Sequence, residues 1–142
     1  MKKLTTLSLL VLALATQVAV AGPVAVIVNS ANTQNASKSD VKSIYGDKTI
    51  AWADGSKIVV YNLPPEDAAA EVFAQKILGS SARDAASEEA NRVITNTSRN
   101  PQQTKREALV SSIVSKTPNA IGYVQKESIE GKSGIRVLFT LD

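Results

Sequence analysis

The sequence predicts an α/β fold built around a mainly parallel sheet. Uninterrupted apolar, mostly β-branched segments such as residues 24–28 are typical of strands that are covered on both faces. Segments with apolar residues at helical spacing alternate with them, and each begins at a hydroxyl or acidic capping residue. The predicted order β-α-β-α-α-α-β-β favours strands that are joined through helices, as parallel strands are.

The N-terminal half provides two strands and two helices. Residues 24–28 and 57–61 are the predicted strands, and Pro64 and Pro65 end the second one. A Ser37–Asp40 capping box begins a short helix that ends at Gly46. Asp67 is expected to cap a second helix, which ends at Gly79. The apolar residues expected on the buried faces of the two helices are Val41, Ile44, Tyr45, Val72, Phe73, Ile77 and Leu78.

The C-terminal half provides two more helices and two more strands. Ser81 and Asp84 predict the start of a polar helix, and a Thr104–Glu107 capping box predicts the start of the next one. The side chains expected to be buried in that last helix are Leu109, Val110, Ile113 and Val114. The remaining strands are residues 120–124 and 135–141, with a helical turn at residues 125–129 between them.

The first residues predict export. Lys2 and Lys3, the apolar residues 4–15 and the small residues 19–21 have the order of a cleavable signal peptide. Cleavage after Ala21 would leave 121 of the 142 residues, which suits one domain at residues 22–142. The apolar segment is shorter than the roughly 20 residues that a membrane span needs. Since there is also no cysteine for lipid attachment, we expect a periplasmic or secreted protein with no membrane anchor after cleavage.

Composition excludes several function classes. Without the predicted signal peptide the chain has 14 basic and 13 acidic residues, whereas a nucleic-acid interface needs a clustered basic face. The chain has no histidine and no cysteine, which removes most catalytic arrangements. The adjacent acids Glu66-Asp67 and Glu88-Glu89 point in different directions on a helix. We therefore expect no enzyme activity, no catalytic residue, no metal site, no cofactor and no nucleic-acid partner.

Polar segments in three loops are the candidates for binding a small ligand. They are Asn29, Ser30 and Asn32 after the first strand, Asn62 after the second strand, and Thr97, Ser98 and Arg99 in the loop at residues 96–103. Amides, hydroxyls and a guanidinium at strand ends suit a small polar solute or an oxyanion. Ordinary surface loops have the same composition, so a purely structural role is the alternative for each. Trp52 is expected to cover the core beside a turn.

Four segments, in this order, resemble the phosphate-binding proteins of bacterial ABC transporters. They are VAVIVN at residues 24–29, IYG at 44–46, WADGSKI at 52–58 and PNAIGYV at 118–124. The chain is most similar to small exported single-domain proteins of this substrate-binding type. The resemblance implies one periplasmic-binding-protein-like lobe of type II, with a mostly parallel mixed sheet of about four to five strands flanked by helices. It also implies solute binding without catalysis.

The resemblance directs attention to residues 62–67. In the family, the segment after the second strand carries an Arg and a Ser-Gly-Thr-type sequence, whose charge and backbone N–H groups hold phosphate. Here the sequence is Asn-Leu-Pro-Pro-Glu-Asp. The prolines remove two donors, Leu63 adds bulk, and the carboxylates repel an anion. These residues favour a helix start over a phosphate loop.

Two functions are therefore open. The first is a solute-binding-like protein that takes a small polar or anionic solute, such as phosphate, at the loops after its strands. The alternative is an envelope interaction or structural protein that uses the same fold to bind a protein partner or a second copy of itself. The resemblance favours the first function. The residues at 62–67 and the lack of a second lobe favour the second.

Overall fold

A five-stranded sheet lies at the centre of the computed structural model, which describes residues 22–142. The strands are β1 (Val24–Asn29), β2 (Val59–Asn62), β3 (Gln103–Thr104), β4 (Ala120–Gln125) and β5 (Ile135–Leu141). They are arranged in the order β3-β2-β4-β1-β5. The predicted α/β class, a mixed sheet flanked by helices, is confirmed. The predicted signal peptide lies outside the described residues, so export stays a prediction.

Strand direction decides which loops lie together. β2 pairs in parallel with β3 and with β4, whereas β1 is antiparallel to both β4 and β5. Val60 of β2 and Val28 of β1 lie on either side of Ile121, but their strands run in opposite directions. Asn62 therefore follows β2 at one end of the sheet, and Asn29 ends β1 at the other. We call these the Asn62 end and the Asn29 end.

Four α-helices surround the sheet in residues 22–142. They are α1 (Lys38–Tyr45), α2 (Ala68–Phe73), α3 (Ala82–Ile94) and α4 (Glu107–Lys116), with a π-helical turn at Ala74–Leu78 and a 3₁₀ turn at Lys126–Ile129. The capping box of α1 is confirmed, because the Ser37 and Asp40 side chains each accept the other residue's backbone N–H. Ser81 caps α3 in the predicted way. None of these helices is long and apolar enough to cross a membrane.

The capping prediction for Asp67 is right in position only, and the prediction of a Thr104–Glu107 capping box is wrong. Asp67 occupies the position before α2, but its side chain makes no capping hydrogen bond. The Thr104–Glu107 box does not form either, because Thr104 pairs with Asn62 in β3. The carboxylate of Glu107 instead accepts the backbone N–H of Gln125 at 2.7 Å. Both residues of the predicted box are thus used in contacts with distant strands.

The core lies on both faces of the sheet. All six residues of β1 are buried, and burial of residues 24–28 was predicted from their uninterrupted apolar sequence. Successive residues of β4 point to opposite faces: Gly122 faces Val110 of α4, and Tyr123 stacks on Phe73 of α2 with ring centroids 3.9 Å apart. Leu109, expected to be buried, is instead 43% exposed. Trp52 is buried beside its turn, as predicted.

Candidate functional site

A cavity of about 490 Å³ lies at the Asn62 end of the sheet. One wall is the polar face of α1, with Ser39, Lys42 and Ser43, and it continues to Lys48. The opposite wall is α3, with Ala85, Glu88 and Arg92. Leu78 and Ser80, at the end of the π-helical turn, close one side, and Asn62 and Gln102 form the floor. We call this space the α1–α3 cavity.

Hydrogen bonds hold the floor of the α1–α3 cavity in place. The Asn62 Nδ2 donates to Gln102 Oε1 at 2.7 Å, and Gln102 Nε2 donates to the backbone oxygen of Tyr45 at 2.8 Å. The Gln102 backbone N–H donates to Glu89 Oε1 at 2.9 Å. Gln102 therefore joins the end of α1, the end of β2 and the body of α3. Because an amide nitrogen carries two hydrogens, Asn62 keeps one N–H beyond its bond to Gln102.

Positive side chains predominate in the α1–α3 cavity. Arg92 forms an ion pair with Glu89 at 2.8 Å, and no other pair in residues 22–142 comes within 4.0 Å. Lys42 and Lys48 therefore have no carboxylate beside them in this part of the chain. Arg92 Nε is buried and has no hydrogen-bond partner within the described residues. Glu88 is the only acid among the described residues that line the walls. The cavity therefore offers unpaired cationic donors to an anion or a polar solute.

The tyrosines below the floor remain neutral at physiological pH. Burial, together with the neighbouring Tyr123, raises the pKa of Tyr45 well above its ordinary value. Burial also raises the pKa of Tyr123. The Tyr45 hydroxyl donates to the backbone oxygen of Tyr61 at 2.6 Å, and the Tyr123 hydroxyl donates to Asn62 Oδ1. Both hydroxyls thus act as fixed donors within the protein.

Two backbone donors of residues 62–67 are bonded within the segment itself. The Leu63 N–H bonds to Asn62 Oδ1 at 2.9 Å and lies 3.4 Å from the Tyr123 hydroxyl. The prolines have no N–H, and the Asp67 N–H bonds to the backbone oxygen of Pro64 at 3.0 Å. Only Asn62 of this segment lines the α1–α3 cavity. The geometry agrees with the interpretation of this segment as a helix start.

The candidate residues after β1 lie at the Asn29 end. Asn29 is buried, and its Nδ2 donates to the backbone oxygen of Val114 at 2.9 Å, which joins β1 to the end of α4. Ser30 is exposed, and its backbone N–H bonds to Gly134. Asn32 is buried and lines a second cavity. These residues and Asn62 therefore do not form one site.

The candidates after α3 secure the end of that helix. The backbone N–H groups of Thr97 and Ser98 donate to the Arg92 backbone oxygen at 2.8 and 3.1 Å. The Arg99 N–H donates to Asp47 Oδ2 at 2.6 Å, and its guanidinium donates to the Lys48 backbone oxygen at 3.2 Å. These residues line neither cavity described here. A ligand role for them stays a prediction.

Sequence reasoning missed the residues that line the α1–α3 cavity most fully. Ser39, Lys42 and Ser43 have the i, i+3, i+4 spacing of one helix face. Ala85, Glu88 and Arg92 share a face of α3 for the same reason. The spacing was therefore a signal, but a polar helix face is normally a solvated one. Only the packing of both helices against the π-helical turn makes the two faces walls of one cavity.

Comparison with solved structures finds the same fold in phosphate-binding proteins. A Planctomyces limnophilus protein provisionally assigned as phosphate-binding superposes with a TM-score of 0.62 at 16% identity, over 81% of this chain and 40% of its own. The chain has a periplasmic-binding-protein-like fold. A second similar structure is a Clostridium perfringens protein crystallised with bound phosphate and provisionally assigned as a phosphate ABC transporter substrate-binding protein. Its TM-score is 0.59 at 20% identity, and the match covers 81% of this chain and 43% of the Clostridium chain.

A third similar structure is an ABC-type phosphate transport receptor from Vibrio cholerae. Its TM-score is 0.52 at 13% identity, over 81% of this chain and 44% of its own. The chain thus spans less than half the length of each of these proteins. No protein-family model matches the sequence, and no curated protein is significantly similar to it. The likeness at these identities concerns the fold.

Proposed function

We propose that this chain is an exported, non-catalytic solute-binding protein that takes a small polar or anionic solute, with phosphate as the first candidate. The observation that carries the proposal is the α1–α3 cavity, where Lys42, Lys48 and the buried Arg92 Nε lack partners within residues 22–142. The fold is shared with proteins described as phosphate-binding, and the cavity lies where β2 ends. Strand ends are where α/β sheets commonly bind ligands.

The cavity has the size of an ordinary ligand site, but its exposed charges should contribute little free energy to binding. Its volume of about 490 Å³ falls within the roughly 300–1,000 Å³ of ordinary ligand sites. Lys42 and Lys48 are exposed, and exposed charge pairs contribute about 0.2–1 kcal/mol each. We therefore expect weak binding of an anion that depends on ionic strength. The remaining contacts come from Arg92 Nε, the free N–H of Asn62 and the hydroxyls of α1 and Ser80.

The length of the chain bears on how the solute is enclosed. The similar structures are more than twice as long as the matched part of this chain, which covers 40–44% of them. A solute in the α1–α3 cavity would therefore remain partly exposed to solvent in a single copy. A second protein surface, from another copy or another protein, is the natural means of enclosing it. Enclosure of the solute by a second protein surface is part of the proposed function.

The alternative function, an envelope interaction protein, is favoured by β5. This strand is the last in the sheet order, so its outer edge has no partner among the strands of residues 22–142. Val137 of β5 is 41% exposed. Unpaired strand edges pair readily with other chains. In this case the protein would bind a partner along β5 and hold no solute.

A thermal-shift experiment distinguishes the two functions. The purified protein without residues 1–21 would be heated with phosphate, sulfate or chloride at matched ionic strength. An anion at ten times its Kd stabilises a protein by about 1.4 kcal/mol, which for a domain of this size is a rise of several degrees. We expect that rise with phosphate or sulfate and not with chloride. No rise at millimolar concentration would contradict solute binding, and light scattering would then test for pairing through β5.

A further inference from the structure

A second cavity lies at the Asn29 end of the sheet, opposite the α1–α3 cavity. Its volume is about 310 Å³. The walls are the loop at residues 31–34 after β1, the turn at residues 52–56 and the loop at residues 118–119 before β4. We call it the Trp52 cavity. We infer that the Trp52 cavity is a binding site for a neutral polyhydroxylated ligand, such as a sugar or polyol.

The strongest observation is a buried amide in the wall. Asn32 is only 8% exposed. Its Oδ1 accepts the backbone N–H of Gln34 at 2.9 Å, which fixes the orientation of the amide because only the oxygen can accept. The Nδ2 is then left buried with no hydrogen-bond partner within residues 22–142. A buried donor without an acceptor is unfavourable, and a ligand that supplies an acceptor would relieve this.

Hydrogen bonds between the loops keep the Trp52 cavity open. The Arg136 guanidinium on β5 donates to the backbone oxygens of Asn32 and Gln34, at distances of 2.6–3.0 Å. Gln34 Oε1 accepts the backbone N–H of Ala53 at 3.2 Å. Trp52 Nε1 donates to the backbone oxygen of Asn119 at 3.0 Å. Each wall is thus tied to a neighbour, which holds the backbone around the cavity in place.

The charges of the Trp52 cavity differ from those of the α1–α3 cavity. Among residues 22–142, Asp54 is the only ionisable residue in its lining. The Ser56 hydroxyl and backbone N–H both donate to Asp54 Oδ1, which lowers the pKa of this carboxyl and keeps it ionised. An anion would meet this carboxylate with no cation in the lining to compensate. The two cavities therefore suit different ligands.

The donors and acceptors in the lining select hydroxyl groups. Asn32 Nδ2 requires an acceptor, which an ammonium ion does not have. Asp54 offers an acceptor and repels anions. A hydroxyl both donates and accepts, so a ligand with several hydroxyls satisfies Asn32 and Asp54 at once. Trp52 and Pro118 add apolar surface, which suits the C–H groups of a sugar ring.

Nuclear magnetic resonance tests this inference directly. The ¹⁵N-labelled protein without residues 1–21 would be titrated with glucose, ribose and glycerol, and with phosphate and ethylammonium as charged controls. We expect saturable shifts of the Asn32 side-chain NH₂ and the Trp52 indole N–H with at least one neutral probe. Lys42 and Arg92, in the other cavity, should not shift with it. No saturable shift with any neutral probe, or an equal shift with either charged probe, would overturn the inference.

Substitutions sharpen the test. Asn32→Asp keeps the size and the Oδ1 acceptor but replaces the free donor, so we expect at least a fivefold loss of affinity. Asn91→Asp, on the exposed part of α3, is the control for the same change of charge and should bind normally. Asp54→Asn, in the exposed turn, tests the second contact if Asn32→Asp does not fold, and it should also weaken binding. Unchanged affinity in the folded variants would overturn the inference.

Discussion

The side-chain nitrogen of Asn62 lies 2.7 Å from Gln102 Oε1 and joins the end of β2 to the segment that follows α3. The same glutamine reaches the backbone oxygen of Tyr45 at the end of α1. One side chain thereby connects the three segments that meet at the floor of the α1–α3 cavity. Its loss should therefore affect both stability and the shape of the proposed site.

Gln102→Ala should destabilise the protein by about 1–3 kcal/mol. The substitution removes two side-chain hydrogen bonds, and each contributes about 0.5–1.5 kcal/mol. Urea unfolding measures the change. Gln103→Ala is the matched control, because Gln103 is exposed and adjacent, and it should stay within about 0.5 kcal/mol of the parent. Equal effects of the two substitutions would contradict the role given to Gln102.

Gly122→Ala should destabilise the contact between α4 and β4. An added Cβ would lie 2.8 Å from Val110 Cγ1 and 3.4 Å from Val114 Cγ2, and overpacking of this kind costs about 1–3 kcal/mol. Val110 is rigid at χ1 and fully buried, so it cannot move aside. The double variant Gly122→Ala/Val110→Ala should lose less than the sum of the single losses. If urea unfolding showed that the loss in the double variant equals the sum of the two single losses, the close contact between Gly122 and Val110 would be contradicted.

Asp47→Ala should release the loop after α3. The Asp47 carboxylate accepts the backbone N–H groups of Arg99 and Asn100 at 2.6 and 2.7 Å. Asp47 also has a φ of 63°, which alanine disfavours. We expect a loss of about 2–4 kcal/mol. Asp47→Asn tolerates the same φ and keeps one acceptor oxygen, so it should lose less; the reverse ranking in urea unfolding would contradict this account.

Stability should fall in alkaline solution, and Tyr45 should account for part of the fall. Burial raises its pKa in the folded protein above the ordinary value of 10.0, so the folded state retains a proton that the unfolded state releases. The free energy of unfolding therefore decreases as the pH rises above about 10. Tyr45→Phe should reduce this decrease, measured by urea unfolding at about pH 8 and about pH 11. Tyr61→Phe is the control, and an identical pH dependence in both variants would contradict the explanation.

Local sequence signals predicted the elements whose ends are fixed locally. The Ser37–Asp40 box and Gly46 define α1 because their hydrogen bonds stay within the helix and its end. β3 has no such signal, since Gln103 and Thr104 are exposed and become a strand only by pairing with Tyr61 and Asn62. The same pairing removes Thr104 from the cap that its sequence context favours.

The candidate site was harder to predict from the sequence than the fold. The residues after β1 and β2 were expected at strand ends, and they are, but strand direction places Asn29 and Asn62 at opposite ends of the sheet. Lys42, Lys48 and Arg92 come from separate segments and meet only when α1 and α3 pack on the π-helical turn. Such a site depends on tertiary packing, which helical spacing alone does not reveal.

Calorimetric titration of phosphate into a charge-neutralised variant tests the proposed function most directly. Lys42→Ala/Lys48→Ala removes the unpaired cations from the α1–α3 cavity, and Lys57→Ala/Lys126→Ala removes the same charge from exposed positions that do not line it. We expect phosphate to bind the parent and the control alike, and about two- to thirtyfold more weakly to the cavity variant, since two exposed charge contacts of about 0.2–1 kcal/mol each are lost. Equal binding by all three proteins, or none by the parent, would contradict the account.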